Sequence, residues 1–268
     1  MGRNQSRLRC RDGHSTHAVS HTDLESDQRF FFLHVMKTGG GSLRQHILAN
    51  FERDQVYPWR RLDGDLLEAN CSLEHLANLP VSRRARIRVF TGHFPFVAVD
   101  LLGGDLTTIA ILRDPVERTI SFLRQRKRNN PVHQAHRLEQ MYEHPFLFRC
   151  FIENHQTKLF ALTSQDNPKS YLHVLDVDAR RLEIAKRNIE SVDVVGIQDR
   201  FDELLSELEQ RFGWSCAAVL SRNVDPGPSP EVPAAFRRRI AEDNAADMEF
   251  FEHARRVCEQ RRRSPVAR

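Results

Sequence analysis

One glycine-rich segment carries the residue types that bind a phosphate group. It consists of Lys37, Thr38, Gly39, Gly40, Gly41 and Ser42. Three consecutive glycines let backbone N–H groups approach an anion closely, a helix that starts after them adds the dipole of its N-terminus, and Lys37 adds a full positive charge. In a Walker A loop the lysine follows the glycine-spaced loop, whereas here it comes first. The segment therefore predicts a phosphate-binding loop of another kind; the alternative is a glycine-rich turn without a ligand.

A second pattern joins an arginine to a hydroxyl group. Arg113 follows an apolar run, and Asp114 and Pro115 then have the residue types that cap and open a helix. Ser121 lies two turns into that helix, at a spacing that can place its hydroxyl on the same side as Arg113. A guanidinium and a hydroxyl that converge suit a terminal phosphate group. The alternative is that Arg113 pairs with a carboxylate.

The third pattern is a histidine that follows a glycine at the end of another apolar run, Gly92 and His93. A histidine at a strand end can titrate near neutral pH and accept a proton from a substrate. Alone, such a histidine is more typical of a buried, hydrogen-bonded side chain. Together with two phosphate-binding segments, it is a candidate catalytic residue.

Short apolar runs lie directly before all three segments, at residues 29–36, 87–91 and 107–112. Runs of this length are typical of buried strands in a parallel sheet. Helical patterns are predicted at residues 43–51, 115–123, 181–190, 201–212 and 233–258. One further strand is predicted at residues 192–197. Strands that alternate with helices predict an α/β fold with a mainly parallel sheet, in which ligands bind where strand ends meet helix N-termini.

The composition is that of a folded globular protein. Of the 268 residues, 40% are hydrophobic and 28% are charged, and the net charge is 40 − 36 = +4. This charge is too small to predict a nucleic-acid partner on its own. The five cysteines are scattered without metal-ligand spacing, which favours reduced thiols, a cytoplasmic protein and no metal site.

The sequence predicts one domain, residues 29–258, between two tails. Residues 1–28 are polar without periodicity, which predicts a flexible N-terminal tail, and residues 259–268 form a basic C-terminal tail. A proline-rich rigid loop is predicted at 226–230. The first residues lack the apolar core of a signal peptide, and no run approaches the ~18 apolar residues of a membrane span. We therefore expect no transmembrane segment.

Residues 34–43 and 111–121 resemble two motifs of the sulfotransferases that use 3′-phosphoadenosine 5′-phosphosulfate (PAPS). The first is similar to the family's 5′-phosphosulfate loop and the second to its 3′-phosphate segment. The resemblance covers residues 29–255 and is strongest to the group that contains the uronyl 2-O-sulfotransferases of heparan and dermatan sulfate and their bacterial relatives. It implies a three-layer, P-loop-NTPase-like fold with a parallel sheet of about five strands.

The resemblance also implies roles for individual residues. Lys37 and His93 would be catalytic, His93 as the general base that matches the family's Gly-His. The donor PAPS would be held, without a metal ion, by Lys37, Thr38, Gly39, Gly40, Gly41, Ser42, Arg113 and Ser121. Met36 and Gly41 depart from the family's usual Pro and Thr, and the second change removes one side-chain donor. The acceptor is expected to be a hydroxyl-bearing glycan or glycoconjugate.

Three other functions remain open from the sequence. They are a nucleotide kinase or other P-loop NTPase, a nucleotide-binding relative without turnover, and a polyanion-binding protein that uses the basic helix 116–128. Acceptor specificity is expected from the irregular segments 54–80 and 127–149, whose Tyr57, Trp59 and Tyr142 could stack on sugars. The sequence leaves the acceptor's identity and the oligomeric state open.

Overall fold

The computed structural model describes residues 28–216 and 231–263. Residues 1–27 of the predicted N-terminal tail, the predicted loop at 226–230 and the last five residues of the predicted C-terminal tail lie outside these ranges. Within them, no helix is both long and apolar enough to cross a membrane.

The described strands form one sheet in which every neighbouring pair is parallel. They are β1 (Arg29–Leu33), β2 (Val56–Tyr57), β3 (Val89–Gly92), β4 (Leu106–Leu112) and β5 (Val194–Ile197). Their order across the sheet is β2-β3-β1-β4-β5. The predicted α/β fold with a parallel sheet of about five strands is confirmed.

The strand boundaries differ from the predicted ones in two informative places. β1 ends at Leu33, three residues before the predicted end, because the chain turns away from the sheet over residues 36–39. β2 was not predicted: it is two residues long, too short to show a strand periodicity, and it lies within the segment predicted to be irregular.

Helices connect the strands and make up most of the remaining chain. In order they are α1 (Gly40–Asn50), α2 (Arg60–Asp63), α3 (Leu66–Ala69), α4 (Leu73–Ala77), α5 (Val81–Arg84), α6 (Ala98–Leu102), α7 (Pro115–Asn129), α8 (Leu138–Tyr142), α9 (Pro145–Leu147), α10 (His155–Ala161), α11 (Ala179–Ser191), α12 (Phe201–Phe212), α13 (Ala234–Asp243) and α14 (Ala245–Arg263). A π-helical turn, Phe148–Ile152, precedes α10. α14 therefore continues five residues into the predicted C-terminal tail.

The helix predicted over residues 233–258 is divided in two at Asn244. Asparagine competes for backbone hydrogen bonds with its own side chain, which disfavours it inside helices. Here the Asn244 side chain donates to the carbonyl of Ile240 (2.8 Å) and accepts from the N–H of Asn154 (2.8 Å). The interruption thus ties the C-terminal helices to the start of α10.

The core lies on both faces of the sheet because side chains alternate along each strand. In β1, Phe30 and Phe32 pack with α1 and α12 on one face. Phe31 and Leu33 pack on the other face, with α10, α11 and α14. This two-sided burial explains why β1 has the sequence of a continuous apolar run.

The connections place a natural binding crevice between β1 and β4. After β1 the chain goes to β2 on one side of the sheet, whereas after β4 it goes to β5 on the other. Ligands in open α/β sheets bind at the carboxyl ends of strands where the chain direction reverses in this way. The two predicted phosphate segments follow β1 and β4, so both border this crevice.

Candidate functional site

The glycine-rich segment forms a tight turn between β1 and α1. Lys37 has φ = 70° and Gly39 has φ = 97°, both in the left-handed region that residues other than glycine rarely adopt. The Gly39 carbonyl accepts from the N–H groups of Ser42 (2.9 Å) and Leu43 (3.2 Å), which closes the first turn of α1. Gly39 is the N-cap of α1 and has no side chain that could accept from the first N–H groups of the helix. The turn therefore presents backbone donors and the Lys37 charge at one helix N-terminus.

Thr38 contributes to this turn from the inside. It is fully buried, and its hydroxyl donates to the carbonyl of Val35 (2.9 Å). The hydroxyl hydrogen is therefore committed to the turn and stabilises its conformation.

Gly40 is required by the close approach of a histidine ring. A Cβ atom built on Gly40 would lie 2.0 Å from Cδ2 and 2.2 Å from Nε2 of His34. Real Cβ atoms do not approach ring atoms so closely, and the His34 ring also stacks on Phe32 (centroids 5.4 Å apart). The second glycine of the run is thus explained by packing.

Replacing Gly40 with Ala is expected to destabilise the fold by about 1–3 kcal/mol, the usual cost of overpacking. Without the clash, alanine in a helix would instead stabilise by ~0.5–1 kcal/mol, so the sign of the change in unfolding free energy is decisive. Urea unfolding measures it. The matched comparison makes the same change in a His34→Ala background, where the penalty should vanish; an equal penalty in both backgrounds would contradict the ring clash.

His34 and His93 are neighbours because of the register of β1 and β3. Leu33 pairs with Gly92, so the next residue of each strand leaves the sheet side by side. The ring centroids are 4.5 Å apart, and Nδ1 of His93 lies 2.7 Å from the backbone carbonyl oxygen of His34. A carbonyl only accepts, so Nδ1 carries the proton and Nε2 of His93 keeps its lone pair.

The pKa values of both histidines are lowered, which favours their neutral form. Burial lowers the pKa of His93, and the hydrogen bond to the His34 carbonyl opposes this in part. The pKa of His34 lies well below its usual value because of burial, with further lowering from His93, Arg44 and Lys37. Neutral His93 with Nε2 unprotonated is the form that a general base requires.

Arg113 links the end of β4 to the glycine-rich turn. Its Nη1 donates to the carbonyl of Lys37 (3.2 Å), and its Nε is buried without a hydrogen-bond partner. Burial lowers the pKa of Arg113, against raising effects from Glu117 and Asp114, and the group stays charged. Arg113 forms no ion pair among the described residues, so it retains capacity for an anion.

The helix that follows begins as the sequence predicts. Asp114 is the N-cap of α7, its carboxylate accepts from the N–H of Glu117 (2.9 Å), and Pro115 is the first helical residue. Ser121 is half-buried on α7 and forms no hydrogen bond to the other predicted site residues in the described structure. The structure thus brings Lys37, His93 and Arg113 to adjacent strand ends, and Ser121 lies in the helix that follows Arg113.

Gln156 is a site neighbour whose role the sequence did not indicate. Its side-chain oxygen accepts from the N–H of Arg113 (3.1 Å), and its amide nitrogen donates to the Arg113 carbonyl (2.8 Å). Gln156 is fully buried in the first turn of α10. Three further polar residues of α10 are also buried, so residue type alone did not single out Gln156.

A buried layer of basic side chains lies beneath this region. The carbonyls of the π-helical turn accept from them: Phe151 from Arg118 (2.8 Å) and Arg149 from Lys158 (2.5 Å). Burial lowers the pKa of Lys158 to about 8 and that of Arg118 to about 10, which Asp247 opposes in both cases. Arg118 is fully enclosed, which identifies it as a structural residue that does not face the crevice.

The predicted acceptor-stacking residues are only partly available. Tyr57 and Tyr142 are fully buried, so the prediction that they stack on sugars is wrong. The Tyr142 hydroxyl donates to Asp243 (2.9 Å), which places it in the core against α13. Trp59 is half-buried beneath the guanidinium of Arg53, 5.2 Å from the ring centroid.

An open depression of about 630 Å³ lies at Trp59, between the C-terminal end of α1 and α2. The glycine-rich turn is at the other end of α1, so this depression is not part of the candidate site. The aromatic residue beside the candidate base is Tyr171, whose ring centroid is 5.5 Å from that of His93.

No protein-family model and no curated protein sequence matches the chain. Any functional assignment therefore depends on the geometry and chemistry of this site.

Proposed function

We propose that this protein is a PAPS-dependent sulfotransferase that transfers a sulfuryl group to a hydroxyl of an acceptor. The observation that supports this most is the convergence of three strand ends. β3, β1 and β4 are adjacent in the sheet, and they carry His93, the Lys37 turn and Arg113. A neutral base, a cationic phosphate-binding turn and a second cation are the groups that this reaction uses.

The donor would lie across the crevice between β1 and β4. In this proposal the backbone donors of the glycine-rich turn and the Ser42 hydroxyl hold the 5′-phosphate. Arg113 and Ser121 hold the 3′-phosphate, as the resemblance implies. Arg113 lies next to the turn, because its guanidinium donates to the Lys37 carbonyl at 3.2 Å. The three-layer, P-loop-NTPase-like classification of the fold belongs to the same proposal.

The proposed step is an in-line displacement at sulfur. His93 Nε2 takes the proton of the acceptor hydroxyl while the hydroxyl oxygen forms a bond to sulfur. The bond between sulfur and the bridging oxygen of the 5′-phosphate breaks, and Lys37 stabilises the charge that builds on that oxygen. The acceptor ester and adenosine 3′,5′-bisphosphate leave, and His93 then releases its proton to solvent. The step uses no metal ion, and we propose a carbohydrate as the acceptor.

Adenosine 3′,5′-bisphosphate is expected to raise the melting temperature by roughly 5–10 °C at one hundred times its dissociation constant. The reason is linkage, because the product nucleotide binds the folded state alone. AMP lacks the 3′-phosphate assigned to Arg113 and should stabilise much less at equal concentration. Differential scanning fluorimetry measures both.

The same experiment separates the proposal from its alternatives. A nucleotide kinase would respond most to ATP with Mg²⁺. A polyanion-binding protein would respond to heparin, with a steep salt dependence and no preference among nucleotides. Equal stabilisation by AMP and the bisphosphate would show that the 3′-phosphate segment is misassigned.

A further inference from the structure

The backbone of Arg113 has an unusual partner at the end of β4. The last paired residue of this strand is Leu112, which lies opposite Ile197 of β5. One residue later the sheet no longer supplies backbone partners on that side. The Gln156 side-chain amide takes their place, accepting from the Arg113 N–H (3.1 Å) and donating to the Arg113 carbonyl (2.8 Å). Arg113 is thus held on both polar groups of its main chain.

Gln156 is itself held rigidly. It is fully buried, and its own N–H donates to a carboxylate oxygen of Asp247 (3.2 Å). The other carboxylate oxygen of Asp247 accepts from the N–H and the hydroxyl of Thr157 (both 2.7 Å). In return, the N–H of Asp247 donates to the side chain of Asn154 (3.0 Å). The starts of α10 and α14 therefore cap each other and leave Gln156 little freedom.

The direction of the Arg113 side chain depends on this backbone position. Arg113 lies between the last residue of β4 and the N-cap of α7, where neither ladder nor helix fixes its main chain. A rotation there would move the guanidinium, at the end of a long side chain, away from the Lys37 carbonyl. Groups that orient a binding residue commonly matter as much as that residue's own contacts.

We propose that Gln156 is the positioning residue of the 3′-phosphate site, which sets the preference for adenosine 3′,5′-bisphosphate over AMP by holding the backbone of Arg113. This inference rests on the proposed function, because it takes Arg113 as the group that binds the 3′-phosphate. The inference predicts that replacing Gln156 weakens only the binding of the 3′-phosphate, although Gln156 does not contact the nucleotide in this arrangement.

The test is calorimetric titration of both nucleotides into wild type, Arg113→Ala, Gln156→Met and the double variant. Gln156→Met keeps the buried volume and removes both hydrogen bonds. We expect the ratio of the two affinities to fall by about 10- to 100-fold, the range for residues that orient a ligand-binding group, while AMP affinity stays unchanged. In the Arg113→Ala background the same substitution should no longer change the ratio.

Two further variants keep the test decisive. Thr157→Val removes the hydroxyl bond to Asp247 and keeps the backbone bonds of Thr157 and Gln156 to that carboxylate, so it should lower stability and leave the affinity ratio intact. Gln156→Leu guards against failure of Gln156→Met to fold, because it also removes both hydrogen bonds and adds no charge. It should lower the affinity ratio to the same extent.

The outcomes distinguish this inference from the proposed function. If wild type shows no preference for the bisphosphate, or Arg113→Ala keeps it, the proposed donor site is wrong. If wild type shows the preference and Arg113→Ala removes it, but a folded Gln156 variant keeps the wild-type ratio, the positioning role is overturned and the proposed function stands.

Discussion

Removing the charge of Lys37 is expected to lower kcat by about 10²–10³-fold, the effect of losing one preorganised transition-state donor. Lys37 lies at the strand end where the proposed donor's bridging oxygen would gain negative charge. Its backbone is in the left-handed region (φ = 70°), and such an outlier is maintained only where the surrounding fold imposes it. A charge on a strained, fixed backbone is well placed to favour the transition state over the ground state.

Two substitutions separate the charge from the backbone geometry. Lys37→Ala removes the charge and keeps a residue that disfavours positive φ. Lys37→Asn removes the charge and places there a residue that tolerates this region. Single-turnover rates with labelled PAPS should fall to a similar extent in both, while Lys37→Asn should unfold at the higher urea concentration. Near-normal turnover in Lys37→Asn would remove Lys37 from the mechanism.

The sheet could be predicted because its strands are buried on both faces. β1 contains the uninterrupted apolar run 30–33 and β4 the run 109–112, and the chain repeats a strand–helix alternation that leads to a parallel sheet. The helix starts were predictable for a similarly local reason. At α7 the residues Asp114 and Pro115 are a capping residue and a first-turn proline, and the structure uses them as such.

What escaped prediction depends on contacts between distant residues. β2 forms because Val56 and Tyr57 pair with Val89 and Phe90 of β3. Two residues are too few to show a strand pattern in the sequence. Tyr57 lies in a segment that the sequence predicts to be irregular, which places it among the residues that could stack on sugars. The same pairing buries it completely, and its hydroxyl is left without a partner.

The same difference between local sequence features and distant contacts applies to the candidate site. Glycines beside a lysine, and an arginine before a helix cap, are visible within ten residues of sequence. The partners that fix their geometry are not: the His34 carbonyl that orients His93 is 59 positions away, and Gln156 is 43 positions from Arg113. The reactive side chains could therefore be predicted from the sequence, whereas the groups that orient them could be identified only from the fold.

Replacing His93 is expected to lower turnover by about 10²–10⁴-fold, the usual contribution of a general base. Donor binding should survive, because His93 faces the acceptor in the proposed mechanism and the nucleotide is held by the Lys37 turn and Arg113. His93→Gln is the preferred variant, since its side chain can still donate to the His34 carbonyl and cannot act as a base. Calorimetry with adenosine 3′,5′-bisphosphate checks that the donor site remains intact.

The pH dependence of kcat/KM also tests the role of His93 as the base. A base acts when it is neutral, so kcat/KM should rise with pH through the pKa of His93. Burial lowers that pKa, and the acid limb should therefore lie below the ordinary histidine value of about 6.5. His93→Gln should retain a low activity that lacks this limb. If the variant keeps near-full activity, or keeps the same acid limb, another group is the base.

Stability must be followed over the same pH range because it changes in the same direction. The pKa values of His34, His93 and His155 are all lowered in the folded state by burial. Below pH about 6.5 the unfolded chain binds more protons than the folded one, so stability is complete above that pH and declines as the pH falls. His93→Gln removes one of these groups and should lose less stability on acidification than wild type does. An acid limb that follows the melting temperature would report unfolding, whereas one that appears while the protein remains folded, and disappears in His93→Gln, assigns the proton acceptor to His93.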